Sequence, residues 1–489
     1  PYFGTSLFIW ANLIGLVMIY LALGYWLGGR LADRYPRHAV LYGITAAAGL
    51  AVGLIPVLSR PILTLSLTGF DTYSVGIFSG SLIGVIILFS VPLILLGFVS
   101  PFAIRLRSLD VSRAGGTAGG VSALSTLGSI LGTFIPVFIL IPRIGTAATL
   151  YTAAVLLLVF SIFGLLAQGS VRPAVVYGAM LAAVVALALF APRGLVREPA
   201  PGKELLYERE SPYNYIQVVR QGTRVSLVLN EGHATHSVYD PNALLTGGPW
   251  DYWLIAPYFS KDFSPGDLES MAMIGSAAGT AAHQYSVVYP DVHVDSVEID
   301  GDIVEAGKRF FALGSLTNNT NYVQDGRTFL KTDGRDKKWT VVGIDAYHQP
   351  YIPFHLTTRE FFQEVSDHLT EDGAAMINAG RTSTDLRLVD ALANTMLQVF
   401  PNVYVIDTPS RSNSMVIGTK GPTRVENFAE NAARVTDPVL KQVFAAALDR
   451  GNIREVKPNP GVIVFTDDRA PVEEVINQMI LGVVSGAAE

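Results

Sequence analysis

The sequence predicts a multi-domain protein: an N-terminal transmembrane α-helical bundle, a small β-hairpin region and a C-terminal α/β Rossmann-like domain. Six long apolar stretches fill residues 1–191, and strand-like and helix-like segments alternate from Leu268 onward. Within residues 273–300, a strand ends in a small-residue turn, a helix follows, and the next strand ends in acidic side chains. This order is typical of the first βαβ unit of a nucleotide-binding domain.

The composition excludes several classes of function. Half of the 489 residues are hydrophobic and 16% are charged, whereas about 25% are charged in typical soluble proteins. The net charge of -6 argues against a nucleic-acid partner, because phosphate binding requires a basic surface. The absence of cysteine excludes disulfides, thiolate metal sites and cysteine nucleophiles. Because Pro1 stands in place of Met, we expect further residues upstream.

The apolar stretches predict about six membrane spans in a transmembrane domain over residues 1–191. Each has about the 20 residues that a helix needs to cross roughly 30 Å of hydrocarbon, and none contains Lys or Glu. The predicted spans are 4–28, 38–58, 78–100, 120–142, 144–167 and 174–191. We therefore expect an integral protein of a bacterial-type plasma membrane, with the lipid bilayer as a partner. A homo-oligomer or a membrane complex is a further option.

Arginine placement predicts the orientation in the membrane. Three arginines follow the first predicted span and three follow the third: Arg30, Arg34 and Arg37, then Arg105, Arg107 and Arg113. The positive-inside rule places both loops in the cytoplasm, and with six spans it places everything after residue 192 on the non-cytoplasmic side. If one of the last two spans is re-entrant or interfacial, the C-terminal half lies in the cytoplasm instead.

Residues 24–34 resemble the cytoplasmic loop motif of major-facilitator transporters. A full transporter has about twice as many spans, and no ionisable residue inside the predicted spans marks a substrate path. An anchor or scaffold is therefore the preferred interpretation of the helical half.

Three further regions follow. Residues 192–203 hold three prolines and two glycines and predict a linker. In a predicted small β-domain, 204–260, two alternating segments at 213–219 and 224–229 flank a glycine turn and predict a hairpin. The Rossmann-like domain is predicted over 261–489. Its strand-like runs are 271–275, 293–299, 321–323, 340–345, 373–378, 402–407 and 414–418, and its helix-like runs include 302–312, 357–369 and 384–399.

Glycine and acidic residues follow successive strands of the predicted mainly parallel sheet. Because the carboxyl ends of parallel strands meet at one edge, we expect these residues to lie near a common ligand. They are Gly275 and Gly279 in the first turn, Glu298 and Asp300 after the second strand, Asp325 and Gly326 after the third, and Asp345 after the fourth. A helix cap or a turn is the alternative explanation for any one of the acidic residues.

Residues 204–489 resemble the polyamine aminopropyltransferases (spermidine synthases), and the whole chain is similar to their membrane-fused bacterial relatives. Residues 210–218, ESPYNYIQV, are similar to the family's Glu-Ser-x-Tyr-Gln-x-Ile-x-Val, with Asn214 in place of Gln. Residues 297–300, VEID, match its ribose-binding strand end, and 325–327, DGR, match its adenine-binding turn. Residues 466–471, TDDRAP, look like the signature of the fused subgroup.

The resemblance implies an S-adenosylmethionine methyltransferase-type fold and a reaction. An aminopropyl group would pass from decarboxylated S-adenosylmethionine to a small amine acceptor, with Asp345 as general base and Tyr347 orienting the acceptor. Tyr213 and Asn214 would contact the donor, together with the turn and strand-end residues named above. S-adenosylmethionine itself is the alternative co-substrate, and no metal is expected: His348 and His355 have no third ligand at a recognisable spacing.

Departures from the family pattern keep other functions open. Residues 276–278, SAA, replace a glycine-rich turn, and we expect their methyl groups to narrow the donor's space. The family's acidic elements near 240–255 are absent, which indicates a less cationic or smaller acceptor, or none. Asp251 is a candidate replacement, although its aromatic-rich segment could instead lie at the membrane interface. A non-catalytic assembly subunit and a methyltransferase are therefore the alternatives.

Overall fold

The computed structural model describes residues 7–68, 73–107, 114–190, 197–230, 234–348, 350–449 and 451–484. The chain forms two compact units, Pro1–Glu198 with Glu210–Pro212, and Pro199–Arg209 with Tyr213–Glu489. The first residues of the predicted span 4–28 and residues 192–196 of the predicted linker 192–203 lie outside the described residues.

The first unit is helical. Its helices are α1 (Leu7–Arg34), α2 (His38–Thr68), α3 (Tyr73–Gly97), α4 (Val99–Arg107), α5 (Ala114–Ile135), α6 (Ile141–Ala167) and α7 (Val171–Phe190). A single π-helical turn, Pro136–Leu140, joins α5 to α6. Small residues let these helices approach closely: a Cβ on Gly24 of α1 would lie 2.8 Å from Gly97 Cα of α3.

Five apolar helical segments among the described residues are long enough to cross a membrane. They are Trp10–Arg34, His38–Leu63, Leu82–Arg107, Gly115–Ala167 and Val171–Phe190. The predicted spans 120–142 and 144–167 lie together in the fourth segment, whose 53 residues would extend about 80 Å as one helix. Gly145, at φ 77° and ψ 167°, interrupts the helical path at the predicted boundary. The segment therefore has the length of two crossings.

The second unit begins with a small four-stranded sheet. Its strands, in spatial order, are β1 (Glu204–Glu210), β2 (Tyr215–Gln221), β3 (Arg224–Leu229) and β4 (Thr235–Tyr239). Strand β3 runs antiparallel to β2 and β4. Strands β2 and β3 pair from Ile216↔Leu229 to Gln221↔Arg224, which confirms the predicted hairpin. Ile216 and Val218 of β2 are completely buried against Ile303 and Phe311.

The large sheet has eight strands in the order β12-β10-β11-β9-β8-β5-β6-β7. Their bounds are β5 (Ser270–Ile274), β6 (His293–Glu298), β7 (Asn319–Val323), β8 (Trp339–Ile344), β9 (Leu369–Gly380), β10 (Asn402–Asp407), β11 (Asn413–Thr419) and β12 (Ile453–Glu455). The helices are α8 (Thr280–Val288), α9 (Gly301–Phe310), α10 (Gly326–Lys331), α11 (Arg359–Asp367), α12 (Arg387–Met396), α13 (Val425–Arg434), α14 (Pro438–Ala447) and α15 (Val472–Val484). All seven predicted strands and the three named helices are confirmed, with ends shifted by a few residues.

The prediction of a mainly parallel sheet holds for β7, β6, β5, β8 and β9. It is wrong beyond β9, because β11 runs antiparallel to β9 and β10, and β12 runs antiparallel to β10. The connection from β10 to β11 is too short for a crossover, so these strands form a hairpin. Strand order reverses around β5, since β6 and β7 lie on one side of it and β8 and β9 on the other. Ligands of open α/β sheets bind at such a switch point, beyond the carboxyl ends of the strands.

The aromatic-rich segment forms part of the core of the second unit. A 3₁₀ helix, Pro249–Phe259, buries Trp253, Tyr258 and Phe259 completely, and Phe259 stacks on Tyr404 with ring centroids 4.1 Å apart. The alternative of a membrane-interface segment is therefore wrong. Hydrophobic residues occupy nearly every position of this segment, so it lacks the periodicity that would have indicated which face is buried.

Candidate active site

The turn after β5 approaches the end of β8 closely. Gly275 has φ 80°, and a Cβ there would lie 2.6 Å from the Ala346 nitrogen and from the Asp345 carbonyl carbon. The Gly275 and Ser276 N–H groups donate to the Val297 carbonyl oxygen at 2.9 and 3.0 Å. The left-handed conformation and the lack of space both require glycine. The turn thereby brings the ends of β5, β6 and β8 together.

The two alanines of this turn pack against the small sheet and α9. The Ala278 methyl group is completely buried in the cluster formed by the small sheet and α9, and Ala277 packs against the same cluster. The Ala278 methyl group is thus directed into the protein, and the narrowing of the donor's space stays a prediction for the partly exposed Ala277. Gly279, at φ 93°, precedes α8 where a Cβ would lie 2.6 Å from Leu313 Cδ1. The buried Ser276 hydroxyl has no hydrogen-bond partner among the described residues.

Glu298, at the end of β6, is held by the backbone around it. Its Oε2 accepts a hydrogen bond from the Ala277 N–H at 3.0 Å, and its Oε1 accepts one from the Asp300 N–H at 3.1 Å. Burial raises the pKa of Glu298 to about 7, although these N–H groups lower it. A carboxyl oxygen that accepts one hydrogen bond can still accept another, so Glu298 is able to receive ribose hydroxyls.

Asp300 and Asn214 have supporting roles in the structure. Asp300 is 1% exposed; its Oδ1 caps α9 by accepting from the Asp302 N–H at 3.1 Å, and its Oδ2 accepts from Asn214 Nδ2 at 2.9 Å. Asn214 Oδ1 in turn accepts from Asn230 Nδ2 at 2.9 Å. These groups join the small sheet to the start of α9, and their contact with the donor stays a prediction. The Tyr213 ring is half exposed, and its contact with the donor stays a prediction.

Asp325 and Gly326 begin α10 after β7. Asp325 Oδ1 caps the helix by accepting from the Thr328 N–H at 2.9 Å, and Oδ2 lies 2.8 Å from His355 Nε2. The hydrogen bond with His355 is the main reason why the pKa of Asp325 falls to about 2. Gly326 packs against the Ile274 side chain without space for a Cβ. The structure thus places this turn beside the end of β5.

The C-terminal signature supports the same turn. Asp467 accepts two hydrogen bonds from the Arg327 guanidinium, each at 2.8 Å, and a third from the Thr358 hydroxyl at 2.7 Å. Arg327 also donates to both oxygens of Glu364. The Arg327 guanidinium is the main reason why the pKa of Asp467 falls to about 2. The segment 466–471 therefore stabilises the start of α10 through the contact of Asp467 with Arg327.

Asp345 follows β8 and lies half-buried. Its N–H donates to the Ile274 carbonyl oxygen at 2.8 Å, and its Oδ1 accepts from Asn378 Nδ2 at 2.8 Å. Burial raises the pKa of Asp345 to about 7, and the Asn378 amide opposes this rise. A carboxyl group that titrates near neutrality is suited to general base catalysis. Sequence analysis missed Asn378, although it is the last residue of the predicted strand 373–378 and therefore lies at the carboxyl edge.

The Tyr347 hydroxyl forms hydrogen bonds with the end of β9. Its hydroxyl donates to the Asn378 carbonyl oxygen and accepts from the Gly380 N–H, both at 2.9 Å. Burial and the charge of Asp345 raise the pKa of Tyr347. These two bonds fix the hydroxyl against β9, while its oxygen keeps a second lone pair that can accept from an amine. The role of Tyr347 in orienting the acceptor stays a prediction.

Three other candidates make contacts within the protein. Asp251 is buried, and its carboxylate accepts from the Thr246 and Gly247 N–H groups and from Gln284 Nε2, so it is not available to an amine. His348 forms an isolated bridge with Tyr351, while His355 pairs with Asp325. Among the described ranges, no group of three or more His, Asp or Glu side chains could hold a metal ion.

The chain is similar in sequence to known proteins. Residues 264–430 match the family model of the spermine/spermidine synthase domain. A probable polyamine aminopropyl transferase of Bifidobacterium longum is 30% identical over 283 residues, 55% of this chain and 61% of that protein. A polyamine aminopropyltransferase of Vibrio vulnificus is 31% identical over 150 residues, 30% of this chain and 49% of that protein.

A solved structure, of a probable spermidine synthase from Corynebacterium glutamicum, aligns with 55% of this chain and 97% of its own, at 19% identity and a TM-score of 0.42. The chain spans less than two thirds of the length of the two curated relatives. The C-terminal region of the chain carries a spermine/spermidine synthase domain.

Proposed function

We propose that this chain is a membrane-anchored aminopropyltransferase that uses decarboxylated S-adenosylmethionine and a small amine. The observation that carries the proposal is Asp345: a half-buried carboxyl group, with a pKa of about 7, at the switch point of the sheet. The match over residues 264–430 supports the reaction class. Five apolar helical segments support the membrane anchor.

The proposed reaction is an alkyl transfer from a sulfonium. Asp345 takes a proton from the ammonium group of the acceptor, because a protonated amine is not a nucleophile. The freed nitrogen lone pair attacks the propyl carbon next to sulfur, and a C–N bond forms. The C–S bond breaks, and its electron pair neutralises the sulfur, so that methylthioadenosine leaves. The site's further task is to hold the two reactants in line.

Three parts of the site would hold the donor. Glu298 would accept hydrogen bonds from the ribose hydroxyls, and the turn from Gly275 to Gly279 would lie against the nucleoside. Asp325 would accept from the adenine amino group, in exchange for or beside His355. The buried Ser276 hydroxyl, without a partner among the described residues, supports a polar ligand here.

The acceptor that we propose carries less charge than a polyamine. A dication requires a carboxylate near each end of its groove, since a buried charge without a partner is costly. Asp345 can serve one ammonium group, whereas the oxygens of Asp251 already accept hydrogen bonds within the protein. A small monoamine therefore fits the described carboxylates better than a long diamine.

The test is a transfer assay on the full chain in lipid vesicles, with decarboxylated S-adenosylmethionine and a panel of monoamines and diamines. We expect equal amounts of aminopropylated amine and methylthioadenosine by mass spectrometry. Asp345→Asn should lose at least a hundredfold in rate, and Asp390→Asn, which changes a carboxyl group of α12, should not. Methyl transfer from S-adenosylmethionine without aminopropyl transfer would contradict the proposal and favour a methyltransferase.

A second candidate is a non-catalytic assembly subunit. Its support is that the Tyr347 hydroxyl and the Asp325 carboxylate both have partners within the chain. This candidate predicts neither transfer nor binding of methylthioadenosine or S-adenosylmethionine.

A further inference from the structure

The side-chain amide of Asn378 has a fixed orientation next to Asp345. Asn378 is 5% exposed, and its Nδ2 donates to Asp345 Oδ1 at 2.8 Å. On its other side, Asn378 Oδ1 accepts from Asn413 Nδ2 at 2.9 Å. Rotating the amide by 180° about its last bond would place an oxygen against the carboxylate and an NH₂ group against another NH₂ group. The Asn413 contact therefore selects the orientation in which Asn378 donates to Asp345.

The backbone of Asn378 is fixed as well. Its carbonyl oxygen accepts from the Tyr347 hydroxyl at 2.9 Å, and Asn378 pairs with Met415 across the β9–β11 ladder. Tyr347 belongs to the loop that carries Asp345, so this hydrogen bond is a second contact between Asn378 and that loop. Because the Asn378 amide has so little freedom, it loses little conformational entropy when it donates to the carboxylate.

The contact has a direct electrostatic consequence. An N–H group that donates to a carboxylate stabilises the anion, which is the form that accepts a proton. Tyr347 is the titratable side chain that faces Asp345 within the described residues, and β9 and β11 present the neutral Asn378 and Asn413. Burial favours the protonated carboxyl group, and the Asn378 amide is the side-chain contact that opposes this effect.

We propose that Asn378 is the positioning residue for Asp345. Oriented by Asn413, it holds the carboxylate in one rotamer and favours the anion, which takes the proton from the amine substrate. This inference rests on the function proposed above. Asn378 itself does not touch the reacting atoms.

The test is a pH titration of Asp345 in the full chain, in vesicles, by infrared difference spectroscopy, with Asp345→Asn to assign the carboxyl band. Asn378→Leu retains the approximate volume and removes the donor. We expect the midpoint of Asp345 to rise by about one to two pH units, which is the effect of losing one hydrogen bond to a charged group. The acid limb of the transfer rate should shift by the same amount, with methylthioadenosine affinity unchanged.

Asn394→Leu is the matched control. Asn394 is also 5% exposed, and its side chain donates to Val462 and accepts from Asn459, on α12. This variant should lose stability without moving the midpoint. If Asn378→Leu does not fold, Asn378→Ser, whose hydroxyl is too short to reach Asp345, gives the same readout. An unchanged midpoint in a folded Asn378 variant would overturn the inference. The infrared titration does not require turnover. An unchanged midpoint, which overturns the role of Asn378, is therefore distinguishable from an absence of aminopropyl transfer, which overturns the proposed function.

Discussion

Gly275 lies so close to Asp345 that a Cβ on Gly275 would be 2.6 Å from the Asp345 carbonyl carbon. The turn after β5 and the end of β8 are therefore parts of one packed arrangement. A change in the turn should reach the candidate base through the backbone.

Gly275→Ala should destabilise the protein by roughly 2–4 kcal/mol, since it adds a steric clash to a left-handed backbone. Gly222→Ala is the matched control: Gly222 has φ 62°, and a Cβ there would meet nothing within 4 Å. It should cost only the conformational strain, about 1 kcal/mol. Chemical denaturation of the full chain measures both. Equal losses in the two variants would show that the clash with Asp345 is unimportant.

Asp345→Asn should stabilise the protein at alkaline pH. The pKa of Asp345 in the folded protein, about 7, lies above the value of 3.8 for an ordinary Asp. The stability that this carboxyl contributes is therefore complete below pH ~4 and is lost as the pH rises through ~7. The neutral amide that the substitution introduces keeps an oxygen that can accept from Asn378.

Melting temperatures at about pH 5 and about pH 8 provide the measurement. The melting temperature of Asp345→Asn minus that of the natural chain should be a few degrees larger at the higher pH. A difference that does not depend on pH would contradict the raised pKa.

Asp325→Asn should have the opposite pH dependence. Because the pKa of Asp325 is lowered to about 2, its ionised form contributes stability above pH ~4, and this contribution disappears as the pH falls through ~2. The melting temperature of the variant should thus be lower than that of the natural chain near neutral pH, and equal to it near pH ~2. Asp372→Asn, at an exposed position of β9, should change little at either pH. A gap between Asp325→Asn and the natural chain that persists in acid would contradict the ionic contribution.

Asp467→Asn should destabilise the second unit by about 1–3 kcal/mol, because Arg327 would lose a charged partner while keeping Glu364. Asp468→Asn changes the adjacent, exposed residue and should stay within about 0.5 kcal/mol. Chemical denaturation distinguishes them. Similar behaviour of the two variants would mean that the signature does not support the start of α10.

Much of the fold was predictable because its elements are local. The strand 402–407 is a run of mostly apolar residues between turns, and the Gly275 turn follows from its small residues. The antiparallel β11 was not predictable from periodicity, since strand direction depends on the connection and not on the strand itself. The 3₁₀ helix Pro249–Phe259 was missed because an almost continuous apolar run carries no helical period.

The candidate site was predicted in position more reliably than in detail. Acidic residues at strand ends indicated the correct edge of the sheet. Sequence spacing does not show which side-chain oxygen meets which hydrogen-bond donor, so the contacts of Asp300 and Tyr347 with the protein were not predicted. Asn378 and Asn413 act only through tertiary contacts, and no motif relates them to Asp345.

Calorimetry with methylthioadenosine determines whether an adenosine site and a separate base share this edge of the sheet. The natural chain and Asp345→Asn should bind the nucleoside with the same affinity, while Asp325→Ala should bind at least tenfold more weakly, having lost a hydrogen bond to a charged acceptor. Failure of the natural chain to bind, or full affinity in Asp325→Ala, would contradict the account.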